Sequence, residues 1–329
     1  MSQPNDESQA HEEERDRDRP DPPEPHPPEP HPPEPHPPEP PATESGEPSA
    51  AGAGEPPAAG AGAEEAPGPP EPAAPPVTVY GDGTPVVLLH AFPLDSRMWL
   101  PQVEALGGYQ VIVPDLRGFG SASGSAPETT PMDLLADDLA KLLDERDLER
   151  AVLCGLSMGG YVALAFARRH PERLGGLVLC NTRPGADSED AKAARLSMAK
   201  RVLAEGLEFL PEAMLPRMLA ETTRKQRPDL VDLVTATILD QDPRGIAAVL
   251  RGMTERPDST GALGGISVPT LVVTGLDDQL ISPDEGVAMA AEIRDARLIQ
   301  VPDAGHLVNL ERPDPVNEAV LDFLAPLWI

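Results

Sequence analysis

Apolar residues in this chain come in short unbroken runs, separated by longer stretches in which they recur every three or four positions. The runs fall at residues 86–90, 110–114, 151–154, 174–180 and 270–274, with 296–301 as a sixth and 77–80 as a possible edge strand ahead of them. Runs that do not alternate with polar residues are what strands covered on both faces require. The intervening stretches have helical period. Met132, Leu135, Leu139 and Leu142 line one face, a second helix runs from just after Ser157 to about His170 before Pro171, and Val316, Val320, Phe323 and Leu324 form a closing amphipathic helix. Strands alternating with crossover helices predict an α/β fold, a mostly parallel sheet with helices on both faces.

The rhythm breaks once. Between Cys180 and Thr270 no strand pattern occurs, but helical patterns do, at Leu196, Ala199 and Leu203 and at Met214, Leu215, Met218 and Leu219. A crossover needs only about a dozen residues, so the excess predicts a helical cap, about residues 184–264, over one edge of the sheet.

Composition divides the chain of 329 residues at about residue 76. Residues 1–76 contain no Val, Ile, Leu, Phe, Tyr or Trp, are dense in Pro, Glu, Ala and Gly, and repeat HPPEP three times over residues 26–40. Such a segment cannot bury enough apolar surface to offset its chain entropy, so a disordered tail is expected there, with the folded domain at 77–329. The HPPEP repeats could dock on proline-reading grooves, and His26, His31 and His36 could bind a metal weakly; a flexible, solubilising extension is the plainer reading.

Charge narrows the partners. The net charge of −29 is shared almost equally, −15 in the tail and −14 in the remainder. An acidic surface argues against nucleic acid and anionic membranes. No apolar stretch is long enough to span a bilayer, and no apolar signal core stands at the N-terminus, so a cytoplasmic protein is expected. Cys154 and Cys180 close two strand runs and read as small buried thiols. No metal or organic cofactor is indicated, and oligomeric state is not encoded in any pattern found.

The chemistry concentrates at GLSMGG, residues 155–160, directly after one buried run. A serine on a sharp strand-to-helix turn presents its hydroxyl at the carboxyl end of the sheet, where open α/β sheets bind ligands. Small residues two before and two after, here Gly155 and Gly159, make that turn possible. The helix start also aims free N–H groups at any developing oxyanion, and the N–H of Met158 is the first candidate.

Ser157 needs a base oriented by a third group. The domain offers three histidines. His170 reads as a solvated helix-end residue, and His90, in HAFP, as a structural ring supporting the next loop. His306, in DAGHLVNLERP, lies in a loop after the last strand run. The acid should follow another strand, and TGLDDQLISP supplies Asp277 and Asp278; spacing within this loop leaves both open. A second oxyanion donor should come from the loop after the early strand, where Phe92 is the candidate.

HAFPLDSRMW, PDLRGFGSASG, GLSMGGYVAL, TGLDDQLISP and DAGHLVNLERP, in that order, resemble the α/β-hydrolase fold superfamily from about Val77 to Ile329. The chain looks most similar to small bacterial 3-oxoadipate enol-lactonases, carboxylesterases and cofactor-free haloperoxidases or perhydrolases. The resemblance implies Ser157 as nucleophile, His306 as general base, Asp278 rather than Asp277 as its orienting acid, and the backbone amides of Phe92 and Met158 as the oxyanion hole. It implies structural roles for Asp115 and Arg117. The chain departs from the family in having Ala91 where glycine is usual, and in a shortened opening hairpin.

The expected function is a serine hydrolase acting on a small carboxylic ester or lactone through an acyl-enzyme. The alternatives are a perhydrolase that passes the acyl group to hydrogen peroxide, a C–C bond hydrolase, and a binding protein without turnover. Met198, Met214, Met218, Leu215 and Leu219 suggest an adaptable apolar pocket or simple packing between helices. Arg183 suggests either a partner for a substrate carboxylate or a solvated surface residue.

Overall fold

The computed structural model describes residues 70–327. The HPPEP repeats and the rest of the expected tail up to residue 69 lie outside the described residues. Seven strands, β1 (Val77–Tyr80), β2 (Pro85–Leu89), β3 (Gln110–Pro114), β4 (Ala151–Leu156), β5 (Leu174–Cys180), β6 (Thr270–Gly275) and β7 (Ala296–Val301), form one sheet in the order β1-β3-β2-β4-β5-β6-β7. Only β1 runs antiparallel to its neighbour, pairing Val77 with Pro114 and Tyr80 with Val111; the other five pairings are parallel.

The central strands β2, β4, β5 and β6 are buried along their whole length. The edge strands β1 and β7 are not, and β7 exposes Arg297 and Gln300. An edge strand lacks a neighbour on one side, so polar residues on it cost little.

The helices are α1 (Leu100–Ala105), α2 (Met132–Glu145), α3 (Met158–Arg169), α4 (Glu189–Glu205), α5 (Leu210–Met218), α6 (Glu221–Gln226), α7 (Pro228–Leu239), α8 (Pro243–Thr254), α9 (Pro283–Glu292), α10 (Val308–Glu311) and α11 (Pro313–Leu324). Strand alternation shows which face each covers. Gly155, Leu179 and Val272 share one face; there Gly155 abuts α3, and Gly286 of α9 packs on Val272 and Thr274. Val152 and Gly176 share the other face, where Phe323 of α11 lies over Gly176. On that side α1 is tied to α11 by Gln102 Nε2 donating to Asn317 Oδ1 (2.9 Å).

Helices α4 to α8 occupy the long stretch between β5 and β6. The buried stripe of α4 is Ala199 and Val202, while Leu196 and Leu203 are exposed. The expected Leu196/Ala199/Leu203 face is therefore rotated: α4 packs against α8, and Ala199 and Val202 are the residues it buries. Helix α8 is held by its glycines, since a side chain at Gly245 would collide with Gly118 and one at Gly252 with the carbonyl of Thr130.

Residues 71–76, grouped with the tail by composition, run along the domain. Ala73 N donates to Asp138 Oδ1 (2.7 Å), Arg117 Nη2 to the Glu71 carbonyl (3.2 Å), and Asp115 N to the Pro76 carbonyl (3.0 Å). These are backbone contacts, which leave no trace in side-chain composition. Cys154 and Cys180 are buried and unbridged, and the Cys180 thiol together with burial holds Cys154 well above the usual thiol range.

Candidate active site

Ser157 links β4 to α3 with φ 55° and ψ −110°, a conformation that L-residues seldom adopt. At three nearby positions the surroundings leave room for nothing larger than glycine. A Cβ at Gly155 would strike the Gly159 carbonyl, one at Gly159 the Leu89 carbonyl, and one at Gly160 the Thr182 side chain. Ser157 N donates to Cys180 O (2.9 Å), and Ser157 O accepts from Tyr161 N (3.1 Å) and Thr182 Oγ1 (2.8 Å). Met158, fully buried, opens α3, whose first-turn N–H groups have no partner within the helix.

His306 lies in the loop between β7 and α10 and is 1% exposed. Its Nδ1 donates to Asp278 Oδ2 at 2.7 Å. The carboxylate can only accept, so the bond fixes the Nδ1–H tautomer and leaves Nε2 free to take a proton. Asp278 Oδ1 accepts from Leu280 N (2.7 Å) and Ile281 N (3.0 Å), so both carboxylate oxygens are engaged. Asp277 is exposed, and of the two acids it is Asp278 that reaches the histidine.

The other two histidines do different work. His90 is buried, with Nε2 accepting from Leu116 N (3.0 Å) and Nδ1 donating to the Ala91 carbonyl (3.2 Å). Burial lowers its pKa, which favours the neutral ring that this pattern needs. It braces the loop carrying Phe92, and Ala91 there requires no left-handed angle. His170 faces Asp137 across 2.8 Å at the end of α3. Asp115 accepts from Ser96 N, Ser121 N and Ser121 Oγ, and Arg117 pairs with the buried Asp138 (2.6 Å); both acts hold loops in place.

Ser157, His306 and Phe92 line one cavity of about 340 Å³. Met198 of α4 and Met214 of α5 line it as well, whereas Met218 and Leu219 are buried in packing. Three arginines also reach it, Arg183, Arg195 and Arg217. Arg183 Nη2 donates to Asp187 Oδ1 (2.8 Å) and Arg195 Nε to Asp187 Oδ2 (2.5 Å). Behind them Arg256 stacks on the Tyr161 ring at 3.9 Å and approaches the same carboxylate at 3.4 Å. Burial works against the Asp187 charge, yet Arg195 and its neighbours keep the carboxyl below its ordinary range. Burial, with Arg183 and Arg195 adding like-charge repulsion, lowers the pKa of Arg256. Three guanidiniums thus share one carboxylate.

Sequence reasoning did not single out Arg195, Arg217, Asp187 or Tyr161. Tyr161 was within reach, because it lies one helical turn after Ser157 and so shares its face. Nothing in GADSEDAKAARLSMAK marks Asp187 and Arg195 as buried partners.

A profile of the alpha/beta hydrolase fold matches residues 84–313. The chain belongs to this family. It is 30% identical to 3-oxoadipate enol-lactonase 1 of Acinetobacter baylyi over 230 residues, 70% of this chain and 84% of that protein. Among solved structures it is similar to a thermophilic esterase from Thermogutta terrifontis with malate bound, at 45% identity and a TM-score of 0.74, covering 76% of this chain and 92% of that one. It is also similar to a bromoperoxidase from Bacillus anthracis, at 27% identity and a TM-score of 0.69, covering 76% and 94%. The α/β-hydrolase fold inferred from the motifs is therefore the fold of the protein, and hydrolase activity is what its relatives support.

Proposed function

We propose that the protein is a serine hydrolase that cleaves a small carboxylic ester or lactone through an acyl-enzyme, with Ser157 as nucleophile, His306 as general base and Asp278 as its orienting acid. The observation that carries this reading is the buried His306–Asp278 pair at 2.7 Å on the cavity that Ser157 also lines. Ser157 Oγ attacks the carbonyl carbon as His306 Nε2 takes its proton. The imidazolium returns that proton to the leaving alkoxide, and a water deprotonated by the same nitrogen then releases the acid. The N–H groups of Phe92 and Met158 stabilise the oxyanion, each worth on the order of 10²- to 10³-fold in rate.

The substrate carries a carboxylate besides its ester bond. Asp187 balances only one of the three guanidiniums around it, so a bound anion relieves repulsion in the cavity. A malate-bound relative and an enol-lactonase relative agree with this charge preference. Turnover of p-nitrophenyl esters of graded chain length, beside half-esters of dicarboxylic acids and a panel of lactones, tests both statements. Hydrolysis of none of these contradicts the reaction, and no preference for the charged members contradicts the subsite.

Pro93 directly after Phe92, together with the bromoperoxidase relative, favours a second acyl acceptor. Peracid formation faster than hydrolysis at millimolar peroxide would make perhydrolysis the main reaction.

A further inference from the structure

We infer that Asn181 is a positioning residue that sets His306 relative to Ser157 by tying together the ends of three strands; this rests on the serine-hydrolase reading above. Asn181 is the first residue after β5. It is 2% exposed and left-handed at φ 41°, which asparagine tolerates better than most residues. Its backbone N–H donates to Val273 O of β6 (2.9 Å).

Every hydrogen-bonding group of its side chain is committed. Nδ2 donates to Gly305 O and to His306 O, both at 2.8 Å, and Oδ1 accepts from Gly275 N at 2.8 Å. Gly275 ends β6 and starts the turn that carries Asp278, whose N–H donates back to the Gly275 carbonyl (3.3 Å). The next residue, Thr182, donates Oγ1 to the carbonyl of Ser157 (2.8 Å). One dipeptide thus reaches the backbone of the nucleophile, of the acid turn and of the base loop.

The Asp278 bond sets the rotation of the His306 ring. It does not set where the backbone of that loop sits; Asn181 holds it at the Gly305 and His306 carbonyls, between the bonds of Asp277 N to Ala304 O (2.8 Å) and Leu307 N to Met218 O (3.1 Å). The chemistry is specific to an amide. Two carbonyls need donors and one N–H needs an acceptor, so alanine leaves three buried groups unpaired, while aspartate meets two carbonyls with a further acceptor.

Full-length Asn181→Ala and Asn181→Asp variants test this when turnover of p-nitrophenyl acetate is divided by active sites counted with a fluorophosphonate at its end-point. Misfolded molecules drop out of the count. We expect kcat per titrated site to fall about 10- to 100-fold, as a displacement of about 1 Å does, with KM changed less than about threefold and the labelling rate slowed in parallel. Gln102→Ala is the control. It too is a buried amide with three hydrogen bonds, to Asn309 and Asn317 on the α11 side, and its loss should lower thermal stability while leaving kcat per titrated site unchanged. Asn181 variants that titrate fewer sites but turn over normally at each would overturn the inference, as would an equal kcat loss in Gln102→Ala. A parent protein that takes no label overturns the nucleophile assignment itself.

Discussion

The cavity has two walls built on different principles. On the sheet side, Ser157, Asp278 and His306 are held by bonds to backbone: Cys180 O and Thr182 on the serine, Leu280 N and Ile281 N on the acid, Asn181 on the base loop. On the cap side, α4 and α5 present Met198, Met214, Arg195 and Arg217, with Arg195 held by the carboxylate of Asp187 and Arg217 by the carbonyl of Gln279 (3.2 Å). The proposed reaction asks the first wall to hold its distances closely, as bond making requires. The second presents long, adaptable side chains from helices, which suits it to choosing substrates.

The sharpest break in this contrast is at the elbow. Gly159→Val drives a branched side chain into the Leu89 carbonyl, a backbone atom that cannot move aside. We expect loss of more than ~3 kcal/mol of stability, read as missing soluble protein or a collapsed thermal transition. Arg195→Met, in the other wall, should fold normally. It should raise KM for a dicarboxylic half-ester about 10- to 100-fold, the worth of one charged hydrogen bond, and leave neutral esters nearly unaffected. An equal effect on both substrates would mean that Arg195 supports the cap and does not read charge.

The smallest effect belongs to the seam between the walls. Leu307 N donates to Met218 O (3.1 Å), and Ala220 N to Glu311 Oε2 (2.8 Å), joining the base loop to the cap. Burial pushes the Glu311 carboxyl above its ordinary range. The folded state then binds this proton more tightly than the unfolded chain does. Its contribution is complete below the unfolded value and is lost as pH rises through the folded one. Glu311→Gln removes that titration, so its melting temperature relative to the parent should rise as pH goes from the ordinary carboxylate range towards neutral.

The two walls also differ in how far the sequence reveals them. Unbroken apolar runs located the strands, since burial on both faces is a local signal, and GLSMGG and DAGH carry their geometry in adjacent residues. Asp278 needed the family pattern, because spacing alone left Asp277 equally open; the fold separates them by burying one and exposing the other. The cavity arginines were legible only in part. Arg183 reads either as a partner for a substrate carboxylate or as a surface residue, Arg195 as one polar position among many on α4, and their meeting with Arg256 on the buried Asp187 is what gives them a shared role. The start of the domain is hard to read for a related reason: Glu71 and Ala73 are bonded to Arg117 and Asp138 by backbone groups common to every residue type.

The central claim is that the hydroxyl at position 157 is the reacting nucleophile and that the histidine wall activates it. Intact-protein mass spectrometry after fluorophosphonate treatment, followed by peptide mapping, tests it most directly. We predict one adduct per molecule, on Ser157, absent from Ser157→Ala and formed far more slowly by His306→Ala. An adduct elsewhere, or equal labelling of the parent and Ser157→Ala, would contradict the account.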